Sequence, residues 1–229
     1  SYFVIKDMFI YSIQFYLISI LHELQQSGSR LITVSFLSPT NIAFIEQGQK
    51  FAMLLQKTVS PLQVTLLPKI SSQDREKSIN TISRVIRVYS LLLIIPSIIL
   101  FILIKPLITI LYGAEFLPIS NIVYILIPSI FFKNITSIIS CFYSGIGKPI
   151  KNTYMQIIPV TLQLSLTIVL VRQIGYLGVV FSILISSLIY GLIFIIYFLN
   201  SSKLKFNQLI PKSNDFKYIY SFIRNFNNW

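Results

Sequence analysis

One stretch decides the fold class, VIRVYSLLLIIPSIILFILI at residues Val85–Ile104. A helix that crosses the hydrocarbon core of a bilayer needs about 20 mostly apolar residues. This stretch has that length, and its single charge, Arg87, lies near the start. Its apolar residues run continuously rather than alternating, which favours a helix over a strand of a membrane barrel. The sequence therefore predicts an all-α integral membrane protein.

The composition of the whole chain agrees with this prediction. The 229 residues are 54% hydrophobic and only 11% charged, with a mean hydropathy of +0.74. Soluble domains average roughly 25% charged residues. The single cysteine excludes an internal disulfide and the single histidine excludes a multi-histidine metal site, so no cofactor is predicted. The net charge of +12 is attributed to orientation in the membrane rather than to nucleic acid.

Six membrane spans are predicted from the apolar runs. A lobe over residues 1–199 contains them, and residues 200–229 form a basic, aromatic tail in which Phe216–Phe226 have the spacing of a short amphipathic helix. The chain begins with Ser1 rather than Met, which leaves open whether it is a fragment of a longer protein. The spans are Tyr2–Leu24, Ile42–Leu67, Val85–Ile104, Leu117–Phe142, Tyr154–Val171 and Val179–Leu199.

The distribution of basic residues orients these spans. Thirteen Lys and Arg residues lie in the segments on the side of both termini, whereas the opposite loops hold only Arg30, Lys105 and Arg172. Loops rich in Lys and Arg stay in the cytoplasm. We therefore expect a multi-pass membrane protein with both termini cytoplasmic.

The second span is polar on one face. At 100° per residue, Lys50 lies about 40° and Lys57 about 20° from Glu46. Charges within a span are costly and usually face a bundle interior or a wet cavity. Two interpretations stay open: a cavity lining, or a Glu46–Lys50 ion pair with Lys57 reaching the headgroups.

The fourth span carries a longer polar stripe. Ser129, Lys133, Ser137, Ser140 and Ser144 follow helical spacing, with Lys133 near the middle. Serines alone could serve helix packing, but a lysine in mid-span on the same stripe favours a cavity that attracts an anionic group.

The fifth and first spans add uncharged and terminal polar groups. Gln156 and Gln163 lie on one face of the fifth span, where hydrogen bonding between helices is the competing interpretation. In the first span, His22 and Glu23 form with Arg30 either a cavity mouth or an interfacial cluster. The predicted substrate-binding set is thus Glu46, Lys50, Lys133, Ser137, Gln156 and Gln163.

No catalytic motif is present. The segment GIGKP, residues 145–149, lacks the GxxxxGK[ST] spacing of a phosphate loop. The sequence has no paired carboxylates or nucleophile–histidine pattern that indicates catalysis. An enzyme is therefore not predicted.

Five segments, in order, resemble a known family. They are SGSRLITVSFLSP (27–39), LLPKISSQ (66–73), LITILYGAEFLPI (107–119), YSGIGKPIKNTY (143–154) and LVRQIGYLGVVFSILISSLIY (170–190). Together they resemble the C-terminal half of bacterial polysaccharide repeat-unit flippases, the O-antigen and capsule exporters of the MATE-like superfamily.

The resemblance implies a fold and a function. The six spans would form one lobe of a twelve- to fourteen-helix transporter, completed by a missing N-terminal lobe or a second copy. The substrate would be an undecaprenyl-pyrophosphate-linked oligosaccharide, and the expected partners include membrane lipids but no nucleic acid. A multidrug exporter of the same superfamily and a membrane-embedded polysaccharide polymerase or transferase are the alternatives.

Overall fold

The protein is all-helical in the part that the structure describes. The computed structural model describes residues 2–57, 60–211 and 215, and these ranges hold seven α-helices and two short 3₁₀ helices. The α-helices are α1 (Tyr2–Phe36), α2 (Pro39–Gln56), α3 (Ser60–Ser71), α4 (Arg75–Tyr112), α5 (Pro118–Gly145), α6 (Ile150–Ile174) and α7 (Tyr176–Ser202), and the 3₁₀ helices are Ala114–Phe116 and Phe206–Gln208.

Four of the helices within the described ranges, α4 to α7, are long and apolar enough to cross a membrane. Their apolar windows contain at most two charged residues each. The protein is therefore a multi-pass membrane protein. Six spans stay a prediction, since α1 and α2 are not in this group. Helix α3 has 12 residues, and its length of about 18 Å is too short to span alone.

Two predicted boundaries need correction. The second predicted span, Ile42–Leu67, is two helices, because α2 ends at Gln56 and α3 begins at Ser60. Pro61 suits the first turn of the new helix, where its missing N–H costs nothing. The first helix does not end at Leu24 but runs to Phe36. It packs along α6, and Gly28 lets the two helices approach at Leu164. The predicted tail helix at residues 216–226 lies outside the described residues.

Helix α5 is the central column of the bundle. It packs against α2, α3, α4 and α7, and it contributes to both clusters of the apolar core. One cluster surrounds Ile139 and Phe142 near the end of α5, and the other surrounds Ile119 and Ile122 near its start. Between the two clusters, the middle of α5 is free to carry polar side chains.

The outer face of α4 matches a lipid environment. Ile95, Ile102 and Ile110 are 64%, 65% and 80% exposed. Large apolar patches on a protein surface mark contact with a partner or a membrane. The face of α4 that is turned away from α5 is therefore suited to contact with lipid or with another part of the assembly.

The hairpin of α6 and α7 depends on two glycines. Gly175 has a φ of 61°, which a residue with a Cβ atom rarely adopts, and it makes the turn between the helices. At Gly178 an added Cβ would overlap the carbonyl group of Leu170. The glycines thus let α7 pack closely against α6 and fix the wall of the cavity described next.

Candidate functional site: a polar cavity around Lys133

A cavity of about 800 Å³ lies among α1, α2, α5, α6 and α7. Most of the residues that line it have polar side chains, although the helices that carry them belong to a membrane protein. Such residues are expensive in hydrocarbon and mark pathways or binding sites when they converge. The charged and imidazole groups of the lining are His22, Glu23, Arg30, Glu46, Lys57 and Lys133.

Lys133 lies at the centre of α5 and lines this cavity. It is about 22 Å from the first residue of the helix and about 18 Å from the last, at 1.5 Å per residue. No hydrogen bond or ion pair joins its ammonium group to any of the described residues. The ammonium group therefore brings three donors and a positive charge that the described protein groups leave unused.

The neighbouring Asn134 is also unpaired. Its side chain is 1% exposed and lines the cavity, and neither Oδ1 nor Nδ2 has a hydrogen-bond partner in the described structure. Buried amides are nearly always satisfied by protein or by ordered water. Lys133 and Asn134 thus offer a cation, a neutral donor and an acceptor at one place.

The predicted stripe on α5 faces the cavity over most of its length. Ser129, Lys133, Ser137 and Ser140 line it. Ser144 does not, because its hydroxyl accepts a hydrogen bond from Nδ2 of Asn152 (3.1 Å) in the packing between α5 and α6. The first four residues of the stripe therefore line the cavity, whereas the last one contacts α6.

On α2, Glu46 is paired with α1 rather than with Lys50. Arg30 Nη2 lies 2.9 Å from Glu46 Oε1, and this ion pair joins the walls formed by α1 and α2. The possible Glu46–Lys50 pair is not formed. Lys57, in contrast, lines the cavity together with Glu46.

Lys50 lies outside the cavity, which corrects its predicted place on the cavity face. Its side chain is exposed and is not among the lining residues. The lining sector of α2 is centred near Gln49, and Lys50 lies about 100° further around the helix. A helical wheel gives the angles between the residues of one helix. It does not show which face of that helix its neighbours leave uncovered.

Gln163 joins three helices at the wall of the cavity. Its Oε1 accepts hydrogen bonds from Nε2 of Gln25 on α1 (2.6 Å) and from Oγ of Ser186 on α7 (3.0 Å). Both interpretations of the α6 glutamines thus hold for this residue, which lines the cavity and also connects helices. Gln156, two turns earlier, lines the cavity as well.

The polar groups near the middle of α1 form a local network. His22 Nε2 and Gln26 Nε2 are 2.7 Å apart, and Ser27 donates a hydrogen bond to Glu23. Together with Arg30 these residues line the cavity. The structure therefore places the first-span cluster at the cavity.

Sequence reasoning missed the contribution of α7. Ser186, Ser187 and Tyr190 line the cavity. The spacing of Ser182, Ser186 and Tyr190, each four residues after the last, would have indicated a polar face. The very apolar surroundings concealed this signal.

The polar groups that line the cavity are suited to hydrogen bonding and anion binding rather than to holding a metal ion. Over residues 2–57, 60–211 and 215, no group of three His, Cys, Asp or Glu side chains is placed to hold a metal ion. The two acids of the lining are engaged, Glu46 with Arg30 and Glu23 with Ser27. Among the described residues, Lys133 is the cation at the centre of the cavity that has no ion-pair or hydrogen-bond partner.

The fold is similar to that of two membrane transporters of known structure. One similar structure is a MOP superfamily transporter from Pyrococcus furiosus whose binding pocket has reverse polarity, suggesting a different function, with a TM-score of 0.68 and 14% identity. Another is a multidrug resistance MATE family transporter of the MOP superfamily in an outward-facing conformation, with a TM-score of 0.70 and 14% identity. Each match covers 93% of this chain and 49% of the other. The chain therefore has the fold of MOP superfamily transporters and spans about half their length.

The family follows from the sequence match. A family model described as "Polysaccharide biosynthesis protein" matches residues 1–121, which is more than half of the chain. The chain belongs to this polysaccharide biosynthesis protein family. No curated protein sequence matches it. The predicted resemblance to a polysaccharide-related family is thus confirmed, and both matched structures are of transporters.

Proposed function

We propose that the chain is one lobe of a flippase that moves undecaprenyl-pyrophosphate-linked oligosaccharide repeat units across the bacterial cytoplasmic membrane. The observation that carries this proposal is Lys133, a cation in mid-membrane that lines a polar cavity without an acidic partner in the described structure. A charge at this depth is rare unless it serves a pathway or a ligand. Membership of the polysaccharide biosynthesis protein family supports a substrate that belongs to polysaccharide synthesis.

Lys133 is suited to the pyrophosphate of such a substrate. Lysine binds phosphate as a compact point charge with three donors. In the low dielectric of the membrane, an anion would offset the cost of holding this ammonium group away from water. The pyrophosphate would thus sit at the middle of α5.

The neutral part of the lining is suited to sugars. Ser137, Gln156 and Gln163 present hydroxyl and amide groups to the cavity. Such groups exchange hydrogen bonds with sugar hydroxyls without adding charge. Glu46 would act through its ion pair with Arg30, which links α1 and α2 beside the cavity.

The half-length match supports a lobe rather than a whole pathway. The transporters that share the fold are about twice as long as this chain. A second lobe or a second copy would close the open side of the cavity, and the substrate would cross between the two halves by alternating access. The excess of basic residues on the side of the termini supports a cytoplasmic location for both.

A multidrug exporter is the competing function, because one matched structure is a multidrug transporter. Organic cations would require unpaired carboxylates in the cavity. Glu46 is ion-paired with Arg30, and the three Lys and Arg residues of the described lining outnumber its two acids. The charge of the cavity therefore favours an anionic substrate.

Disrupting the gene in its native host tests the proposal. We expect loss of surface polysaccharide and accumulation of lipid-linked repeat units inside the cell, with unchanged drug sensitivity. Re-expression of the wild-type gene serves as the control. Normal polysaccharide with hypersensitivity to drugs would instead establish the multidrug function.

A further inference from the structure

A second, basic pocket lies at the end of the bundle. Its volume is about 370 Å³, and it forms where α3 ends, α4 begins, and α5 and α7 end. It shares no residue with the cavity around Lys133. Its polar and charged lining residues are Ser71, Gln73, Arg75, Tyr143, Lys148, Lys151 and Ser201.

Three cations converge on this pocket. They are Arg75, Lys148 and Lys151, and none of the described lining residues is acidic. Arg75 donates a hydrogen bond from Nη2 to the carbonyl oxygen of Ser201 (2.8 Å), which holds the guanidinium group at the rim. Its remaining N–H groups are available to a ligand. Three positive charges that line one pocket repel one another, and an anion bound between them would offset this repulsion.

Lys151 is held in place by aromatic rings rather than by a carboxylate. Its Nζ lies 5.6 Å from the ring centre of Tyr143 and 5.2 Å from that of Tyr197. The Tyr143 hydroxyl is fixed in turn by Ser201 Oγ, at 2.9 Å. Ring contacts orient an ammonium group but leave its charge unneutralised, so Lys151 is positioned for an anion.

The position of the pocket indicates which anion. The spans α5 and α7 end here, so the pocket lies at the level of the lipid headgroups. Beside the cations its lining includes the partly exposed Ile146, which is backed by the buried Ile70 and Phe142. A wall that is part cationic and part apolar suits a phosphate attached to a lipid better than a free phosphate ion. Basic pockets of this kind bind anionic lipid headgroups.

We propose that this pocket binds the headgroup phosphate of an anionic membrane phospholipid. Arg75, Lys148 and Lys151 contact the phosphate, and the apolar wall accommodates the start of the acyl chains. The bound lipid bridges the α3–α4 junction, the α5–α6 turn and the end of α7. The proposal does not depend on what the central cavity transports.

Native mass spectrometry of the full chain in detergent tests this site. The protein is mixed with equal amounts of phosphatidylglycerol and phosphatidylcholine, and the ratio of the two retained lipids is measured. The test variant is Lys148→Gln/Lys151→Gln. The matched control, Lys69→Gln/Lys77→Gln, removes the same charge from two exposed lysines at the same end, outside the pocket. Lys148→Arg/Lys151→Arg keeps the charge and checks that the pocket still folds.

We expect wild type, the control and the arginine variant to prefer phosphatidylglycerol. The glutamine variant should lose this preference by about tenfold, because each basic residue near the membrane surface adds to anionic lipid binding. An equal preference in the test and control variants would overturn the proposal. Release of phosphatidylglycerol by inorganic phosphate at an equal concentration would also overturn it, because the site would then bind free phosphate.

Discussion

At the residue scale, the closest packing in the described bundle is decided by single glycines. Gly178 on α7 faces the backbone of α6 at Leu170, and Gly28 on α1 faces the tip of the Leu164 side chain, 3.0 Å from an ideal Cβ. Backbone cannot move aside locally, whereas a leucine tip can rotate. Gly28 should therefore tolerate an added methyl group better than Gly178 does.

Gly178→Ala should destabilise the protein by about 1–3 kcal/mol, the usual cost of overpacking. The methyl group would push α7 away from the carbonyl of Leu170. The measurement is the thermal unfolding midpoint of the purified protein in detergent. Gly28→Ala is the control and should be neutral or slightly stabilising, since alanine favours helix by up to about 1 kcal/mol over glycine. Equal midpoints for both variants would show that α6 and α7 are not in close contact.

The residues also show how far the sequence could predict the site. Lys133 and Ser137 were found because a cation and several serines repeat at helical spacing within an apolar run. Lys50 could not be excluded in the same way, because its place outside the cavity depends on how α2 is rotated against α5. Asn134 is a candidate only because its buried side chain has no hydrogen-bond partner among the described residues. No sequence pattern could have predicted this.

At the element scale, hydropathy located the apolar middles of the helices but not their ends. The break between α2 and α3 lies near Pro61, yet Pro96, Pro128 and Pro159 lie inside unbroken helices. A proline alone therefore does not decide where a helix ends. The extension of α1 past Leu24 depends on its contact with α6, which polar residues such as Gln25 stabilise by hydrogen bonding.

The segment after α7 is tied back to α4 by Arg87. Its Nε donates to Asp215 Oδ2 at 2.9 Å, and its Nη1 donates to the carbonyl oxygen of Gln208 at 2.7 Å. The two side chains of the ion pair are only 15% and 9% exposed. An ion pair with so little solvent is costly to break from one side, because the remaining charge is left without its partner.

Asp215→Asn should therefore loosen the segment that follows α7. We expect trypsin to cleave after Lys205 at least about tenfold faster, because removing one partner of a buried pair costs several kcal/mol. Cleavage is followed by mass spectrometry of the intact protein over time. Asp74→Asn is the matched control, since the Asp74–Lys77 pair is 3.6 Å long and highly exposed, and such pairs contribute little. Unchanged cleavage in Asp215→Asn would mean that the pair does not hold the segment.

At the scale of the whole molecule, the chain has the fold of about half of a MOP superfamily transporter. Its most exposed apolar face is on α4, its polar cavity is lined by α1, α2, α5, α6 and α7, and its basic pocket lies at the end of the bundle. The sequence predicted the all-helical class and the family from apolar length and local motifs. The assembly of the cavity could not be predicted, since it depends on five helices that are distant in sequence.

The proposed function depends most on Lys133, whose charge would bind the anionic part of the transported substrate. The most direct measurement is surface polysaccharide in the disrupted host after complementation with Lys133→Met, which keeps the length of the side chain but removes its charge. The control is Lys105→Met, at an exposed position on α4 outside the cavity, with equal membrane levels of both variants. We expect Lys105→Met to restore the polymer and Lys133→Met to restore about a tenth or less, in line with the loss of one charge-assisted contact. Full restoration of surface polysaccharide by Lys133→Met would show that the charge of Lys133 does not bind the substrate.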